Sequence, residues 1–215
     1  MMWQAVFLSL QVSAVATICA LPLAIWVAHV LARKQFRGHG LLNGLVHLPL
    51  VLPPVVTGYL LLIVFGKQGA VGGFLYDWFG ITLAFRWTGA ALAAAIMGFP
   101  LMVRAIRLGF EAVDAGLEDA ARTLGASRAR VFGTVTLPLV MPAILAGAVL
   151  GFAKALGEFG ATITFVAAIP GQTQTIPSAI YGLLQVPNQE SDVIVLVSIS
   201  VALAMGALVA SEWLA

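Results

Sequence analysis

The sequence predicts an all-α integral membrane protein of about five transmembrane helices, and three observations carry that reading. Hydrophobic residues make up 61% of the chain, charged residues only 9%, and the charges stand between five long uncharged runs. Soluble domains carry roughly a quarter charged residues, so a water-facing surface cannot be assembled from this composition. A bilayer crossing consumes about 20 residues plus a loop, so residues 1–215 fit one membrane domain. The net charge of +2 is too slight to argue for nucleic acid. The single cysteine, Cys19, lies in an apolar run and excludes both an internal disulfide and a site of several thiolates.

The spans read off between charges. Met1 to Ala32 contains no Asp, Glu, Lys or Arg. It lacks the basic start of a signal peptide and is too long for a cleaved apolar segment, so it is read as the first helix, with Pro22 a tolerated kink. Leu41 to Gly66 is the second run and is read as one span despite Pro49, Pro53 and Pro54. Trp87 to Val103, Val131 to Ala153 and Val193 to Ser211 are the third, fourth and fifth. Lipid requires backbone groups to be paired within the segment, which each of these achieves as a helix.

Lys and Arg set the orientation. With the N-terminus outside, the inner loops hold Arg33, Lys34, Arg37, Arg104, Arg107, Arg122, Arg128 and Arg130. The outer loops then hold only Lys67 and Arg86, with Lys154 at the end of the fourth span. Cytoplasmic loops carry the excess of basic residues, so the expected topology is N-terminus outside and C-terminus cytoplasmic. Two helices also carry small residues every fourth position: Ala143, Gly147, Gly151 and Ala155, and Ser198, Ala202, Gly206 and Ala210. Such ridges let helix backbones approach closely in lipid, and packing within the bundle is preferred here to a substrate path.

The densest charge lies in the loop at about 104–136, which holds Arg104, Arg107, Glu111, Asp114, Glu118, Asp119, Arg122, Arg128 and Arg130. Ala115 to Leu124 is mostly good helix formers, and Gly125 suits the left-handed residue that ends a helix. Ser127 suits the cap of a second short helix through Phe132. Leu137-Pro138 suits the first turn of the next membrane helix, where the missing proline N–H costs nothing. By spacing alone this is either a helix–turn–helix element or an ordinary charged loop.

Asp119-Ala120-Ala121-Arg122-Thr123-Leu124-Gly125, with Leu137-Pro138 downstream, resembles the EAA loop of ABC importer permeases. The likeness extends along most of the chain. His47 to Val56, Leu75 to Ile81, Phe99 to Arg104, Gly157 to Thr162 and Pro170 to Pro177 resemble the molybdate permeases in particular. Sulfate and thiosulfate permeases are also similar, and tungstate is not separable from molybdate. The resemblance implies a type I permease fold with a cytoplasmic coupling helix in a multi-pass protein of the cell inner membrane. It implies two ABC ATPase subunits as partners, which use the ATP and Mg, and a periplasmic molybdate-binding protein. Glu118, Asp119, Ala120, Ala121 and Gly125 are then the ATPase-coupling residues. The family's usual glutamate is Asp119 here, one methylene shorter, with Glu118 immediately before it. Family members often continue with a short basic tail, whereas this sequence stops at Ala215.

The chain's own chemistry is that of a conduit. It has no Gly-x-x-x-x-Gly-Lys-Ser/Thr stretch to cradle phosphates, so ATP is expected in trans and no cofactor on this chain. It has neither His-Glu-x-x-His nor Gly-x-Ser-x-Gly, and His29, His39 and His47 lack metal-ligand spacing. An intramembrane enzyme is therefore disfavoured, and the EAA-like loop disfavours a secondary transporter. His47 is read as a hydrogen-bonded membrane histidine.

Lys154 and Glu158 share a helical face, and Lys154 would cancel a charge that otherwise repels an oxyanion. Glu158 is thus read as structural or gating, while a substrate contact for Lys154 stays open. Hydroxyls suit passage without capture. Thr57, Thr162, Thr164 and Ser178 are the candidates, against the alternative that each bonds its own helix backbone. The outer segment Ile169 to Glu190, broken by Pro170-Gly171, fits a gate, a docking surface or a connector. One chain has too few helices to enclose a path, so a homodimer is expected.

Overall fold

The computed structural model describes residues 2–214, and the secondary structure it assigns there is helical. The opening helix α1 (Met2–Arg33) runs 32 residues, about 48 Å at 1.5 Å per residue, enough to cross the hydrocarbon core of a bilayer. Three more helices are long and apolar enough to cross alone: α5 (Trp87–Ala112), the run from Arg128 to Leu156, and α11 (Glu190–Leu214).

Leu41 to Gly66, read as one span, is sharply bent. It is two helices, α2 (His39–Val51) and α3 (Pro54–Phe65), that meet at 113°. Pro53 and Pro54 cannot donate to the helical ladder, and each bars the residue before it from helical geometry. Leu52 (ψ 143°) and Pro53 (ψ 132°) are accordingly extended. At about 18–20 Å apiece neither half crosses a bilayer alone. Among the described residues there are thus four helices long and apolar enough to cross, or five if the bent pair makes one broken span. The short helix α4 (Ala70–Phe79) follows and ends at Gly80 in left-handed geometry (φ +66°).

The bundle is built on α1, α5 and α8 (Leu137–Leu156). Association in lipid gains little from the hydrophobic effect, so close backbone approach and dispersion must hold the helices together. Small residues permit it: Ala90, Ala91, Ala93 and Ala94 of α5 are buried against Val12 and Ala16 of α1. Towards the other end of α5, Met102, Val103, Ile106 and Phe110 pack with Ala24, Val27, Ala28 and Leu31 of α1 and with Val140 and Ile144 of α8.

The small-residue ridge of α8 faces α5: a Cβ on Gly147 would meet Ile106, one on Gly151 would meet Met102, and Gly98 abuts Gly151. The ridge of α11 differs. Ser198, Ala202 and Gly206 are exposed, and nothing lies within 4 Å of a Cβ built on Gly206. The side chain of Ala210 lies outside the described part.

Candidate functional site

At one end of the bundle the charged loop folds as two short helices around a glycine. Beyond α5, Asp114 leaves helical geometry and its carboxylate accepts from the Gly116 N–H at 2.8 Å, capping α6 (Ala115–Thr123). Gly125 (φ +86°) closes α6: its N–H donates to the Arg122 carbonyl at 2.9 Å, and the Ala126 N–H to the Ala121 carbonyl at 3.1 Å. These two bonds satisfy carbonyls that the helix end leaves open.

Ser127 then caps α7 (Arg128–Val131), its hydroxyl accepting from the Arg130 N–H at 3.4 Å. The expected break before Leu137-Pro138 is replaced by a continuous π-helical stretch, Phe132–Thr136. Pro138 lacks an N–H and its ring would clash with the carbonyl four residues back. The wider turn relieves this, with the Leu137 N–H donating to the Phe132 carbonyl five residues back.

The two acids of α6 share Arg122 but differ in exposure. Glu118 is enclosed, with its side chain 12% exposed. Its Oε1 accepts from the Thr136 hydroxyl at 2.7 Å and from Arg33 Nη2 at 3.3 Å, and its Oε2 lies 3.5 Å from Arg122. Arg33 also donates to the Val113 carbonyl at 3.3 Å. One carboxylate therefore ties α6 to the end of α1 and to the π-helical stretch. Asp119 points out and pairs with Arg122 at 3.0 Å. Leu117, Ala120 and Leu124 are exposed beside the half-covered Ala121, so an apolar stripe at helical spacing faces away from the protein. Arg33 and Thr136 were not foreseen as site residues. Their distance from Glu118 in sequence hides them, although Thr136 directly precedes Leu137-Pro138.

The candidate path residues divide. Lys154 Nζ lies 2.7 Å from Glu158 Oε2, and the Glu158 side chain is 1% exposed. Glu158 Oε1 also accepts from the Ala161 N–H at 3.0 Å, so this acid caps α9 (Gly160–Val166) as well as pairing with the lysine. The Thr162 hydroxyl donates to the Phe159 carbonyl at 2.9 Å and that of Thr164 to the Gly160 carbonyl at 2.9 Å. The Ser178 hydroxyl, on α10 (Ile176–Leu183), donates to the Thr175 carbonyl at 3.0 Å. Thr57 is different: its hydroxyl is buried and has no partner among the described residues.

The crossing of α3 on α9 sets Gly58, next to Thr57, against Ala161 and Thr164. A Cβ on Gly58 would lie 2.5 Å from the Ala161 carbonyl oxygen and 2.9 Å from Thr164 Cβ, and one on Gly160 would lie 2.7 Å from Pro54 Cβ. Ser178 sits apart, on a helix whose first free N–H, at Ile176, donates to Ser9 of α1 at 2.7 Å. The outer segment is pinned by Thr173, another residue not foreseen. Its hydroxyl accepts from the Ile169 N–H at 2.9 Å and donates to the Ala167 carbonyl at 3.1 Å. His47 Nδ1 donates to the Asn43 carbonyl at 2.9 Å.

Residues 20–215 match the family model described as the binding-protein-dependent transport system inner membrane component. The chain belongs to that family. Members are permease subunits rather than enzymes, and the ATPase is a separate subunit. The chain is 62% identical over 213 residues to the molybdenum transport system permease protein ModB of Escherichia coli K12, covering 99% of this chain and 93% of that one. It is 55% identical over 210 residues to ModB of Haemophilus influenzae Rd, covering 98% and 92%. Among solved structures, a bacterial ABC transporter that imports the acidic polysaccharide alginate has the same fold, at TM-score 0.71 and 17% identity, over 98% of this chain and 76% of that one. The MetNI methionine ABC transporter, in an inward-facing conformation, gives TM-score 0.69 at 14% identity, over 100% and 94%.

Proposed function

We propose that this chain is the membrane-spanning subunit of an ATP-driven importer for molybdate, passing the oxyanion from a periplasmic binding protein to the cytoplasm. The 62% identity to a molybdenum permease along 99% of the chain carries the substrate assignment. A sulfate permease, CysW of Synechococcus elongatus, is 39% identical over 150 residues and so supports sulfate less well. Tungstate shares the size and charge of molybdate and is expected to share the path.

The apolar stripe of α6 supports a docking role. Leu124 is 88% exposed on a short, charged loop, an arrangement that favours a partner surface. Two ATPase subunits would cover this stripe on two copies of the permease, with Asp119 and Gly125 at its edge. Movement of α6 would pass through Glu118 to α1 via Arg33 and to α8 via Thr136. The clamped α5–α8 contact would carry it on to Lys154, Glu158 and the α3–α9 crossing, where the Thr57 hydroxyl is available to a passing oxyanion. In this reading the basic end of the bundle is cytoplasmic and the N-terminus is outside, consistent with the crowding of Arg and Lys there. ATP and Mg belong to the partner ATPases.

Uptake of labelled molybdate and sulfate into proteoliposomes that hold ATP tests the substrate assignment. Each anion is supplied on its own binding protein. ATP-dependent accumulation of molybdate and not sulfate is expected; accumulation of sulfate alone would replace the substrate while keeping the importer.

A further inference from the structure

A small polar cleft between α2 and α5 belongs to neither the docking loop nor the α3–α9 crossing. It is partly open, measures about 250 Å³ and is lined by Asn43, His47, Arg104, Arg107, Leu108 and Glu111. Arg107 is held in place: its Nε donates to Glu111 Oε1 at 2.7 Å and its Nη1 to Asn43 Oδ1 at 3.2 Å. With Asn43 Oδ1 so engaged, the amide N–H₂ is left as a donor. His47 turns its Nδ1–H to the Asn43 carbonyl and leaves Nε2 free.

Arg104, one turn before Arg107, is exposed and has no carboxylate within ion-pair distance among the described residues. The Glu111 carboxylate repels anions but is spent on Arg107. Arg104 and Arg107 against Glu111 leave the cleft one formal positive charge. That volume corresponds to about eight waters at liquid density, room for a tetrahedral oxyanion with part of its hydration shell.

We propose that this cleft binds a tetrahedral oxyanion through Arg104, the free edge of Arg107 and the Asn43 amide. One uncompensated charge in a partly open site favours capture with ready release, as passage across a membrane demands. Two sources share this chemistry. One is a free oxyanion leaving the path, a use that rests on the import reading above. The other is the phosphate of an anionic lipid head group, with the exposed Leu108 against its acyl chain. The binding itself requires neither ATP nor a binding protein.

The test uses the purified permease–ATPase complex in nanodiscs of phosphatidylcholine alone, with wild type, R104Q and R104K compared. Equilibrium dialysis of molybdate, and separately of inorganic phosphate, measures free-oxyanion binding. Native mass spectrometry of the same complexes in discs containing phosphatidylglycerol counts retained anionic lipid. For a free oxyanion, R104Q binds at least about tenfold more weakly than wild type, the loss expected on removing a charged hydrogen-bond donor, and R104K falls between. For a lipid source, wild type retains phosphatidylglycerol that R104Q loses. If R104Q leaves both readouts at the wild-type level, the cleft is no oxyanion site and the proposal fails. Because transport is not measured, a failure of ATP-dependent molybdate uptake would leave these results unchanged.

Discussion

Glu118 and Asp119 are adjacent in sequence, yet one is enclosed and the other faces water, so their removal should do different things. Glu118→Ala strands Arg33 and the Thr136 hydroxyl without their carboxylate. The expected loss is about 2 kcal/mol, seen as a lower melting temperature of the detergent-solubilised protein. Asp119→Ala breaks only an exposed pair with Arg122 and should change stability by less than about 0.5 kcal/mol. Its effect is expected in a weakened association with the ATPase, measured by co-purification. Equal melting temperatures for the two variants would contradict the division of roles.

What the sequence revealed at this scale was local. Ser127 caps a helix through bonds reaching three residues, and Gly125 ends one through bonds within a turn, so residue type and spacing suffice to place them. The Arg33–Glu118 and Thr136–Glu118 contacts join distant parts of the chain, and no local pattern encodes them. The hydroxyls of Thr162, Thr164 and Ser178 show the same limit: their type is visible in sequence, but only the fold shows that each is bonded to nearby backbone while Thr57 is not.

Among the elements, the turn after α6 and the crossing of α3 on α9 depend on glycine for different reasons. At Gly125 nothing lies within 4 Å of an added Cβ, so space is free and the constraint is the positive φ. Gly125→Val should cost about 1–2 kcal/mol locally and detach α6 from its ending. The variant should still insert in the membrane but lose ATP-dependent uptake, whereas Gly125→Asn, which tolerates this geometry, should retain most of it. Unchanged uptake by the valine variant would sink the coupling role of this turn.

At Gly58 the constraint is space, since a Cβ would press on the Ala161 carbonyl. Gly58→Ala should therefore destabilise the protein. Gly44→Ala, in a helix with nothing within 4 Å, should be neutral or stabilising by up to about 1 kcal/mol. Thermal unfolding of the pair reads the difference. Hydropathy located the α2–α3 run but not its 113° bend. Apolar composition reports that a segment avoids water and not which way it points, and Pro53-Pro54 makes a corner of this one.

For the whole molecule, composition was enough to predict a helical membrane protein, because so few charges leave no other way to meet solvent. How copies assemble was beyond its reach: the ridge on α8 is consumed inside the chain, while that on α11 stays largely uncovered. In the proposed importer, α6 joins this permease to an ATPase that answers to molybdate. The measurement that tests it most directly is the ATPase rate of the complex in lipid, with binding protein supplied empty, molybdate-loaded or sulfate-loaded. Stimulation by the molybdate-loaded protein is expected, and its loss in Gly125→Val. A rate indifferent to every binding protein, in a complex that still carries molybdate, would contradict it.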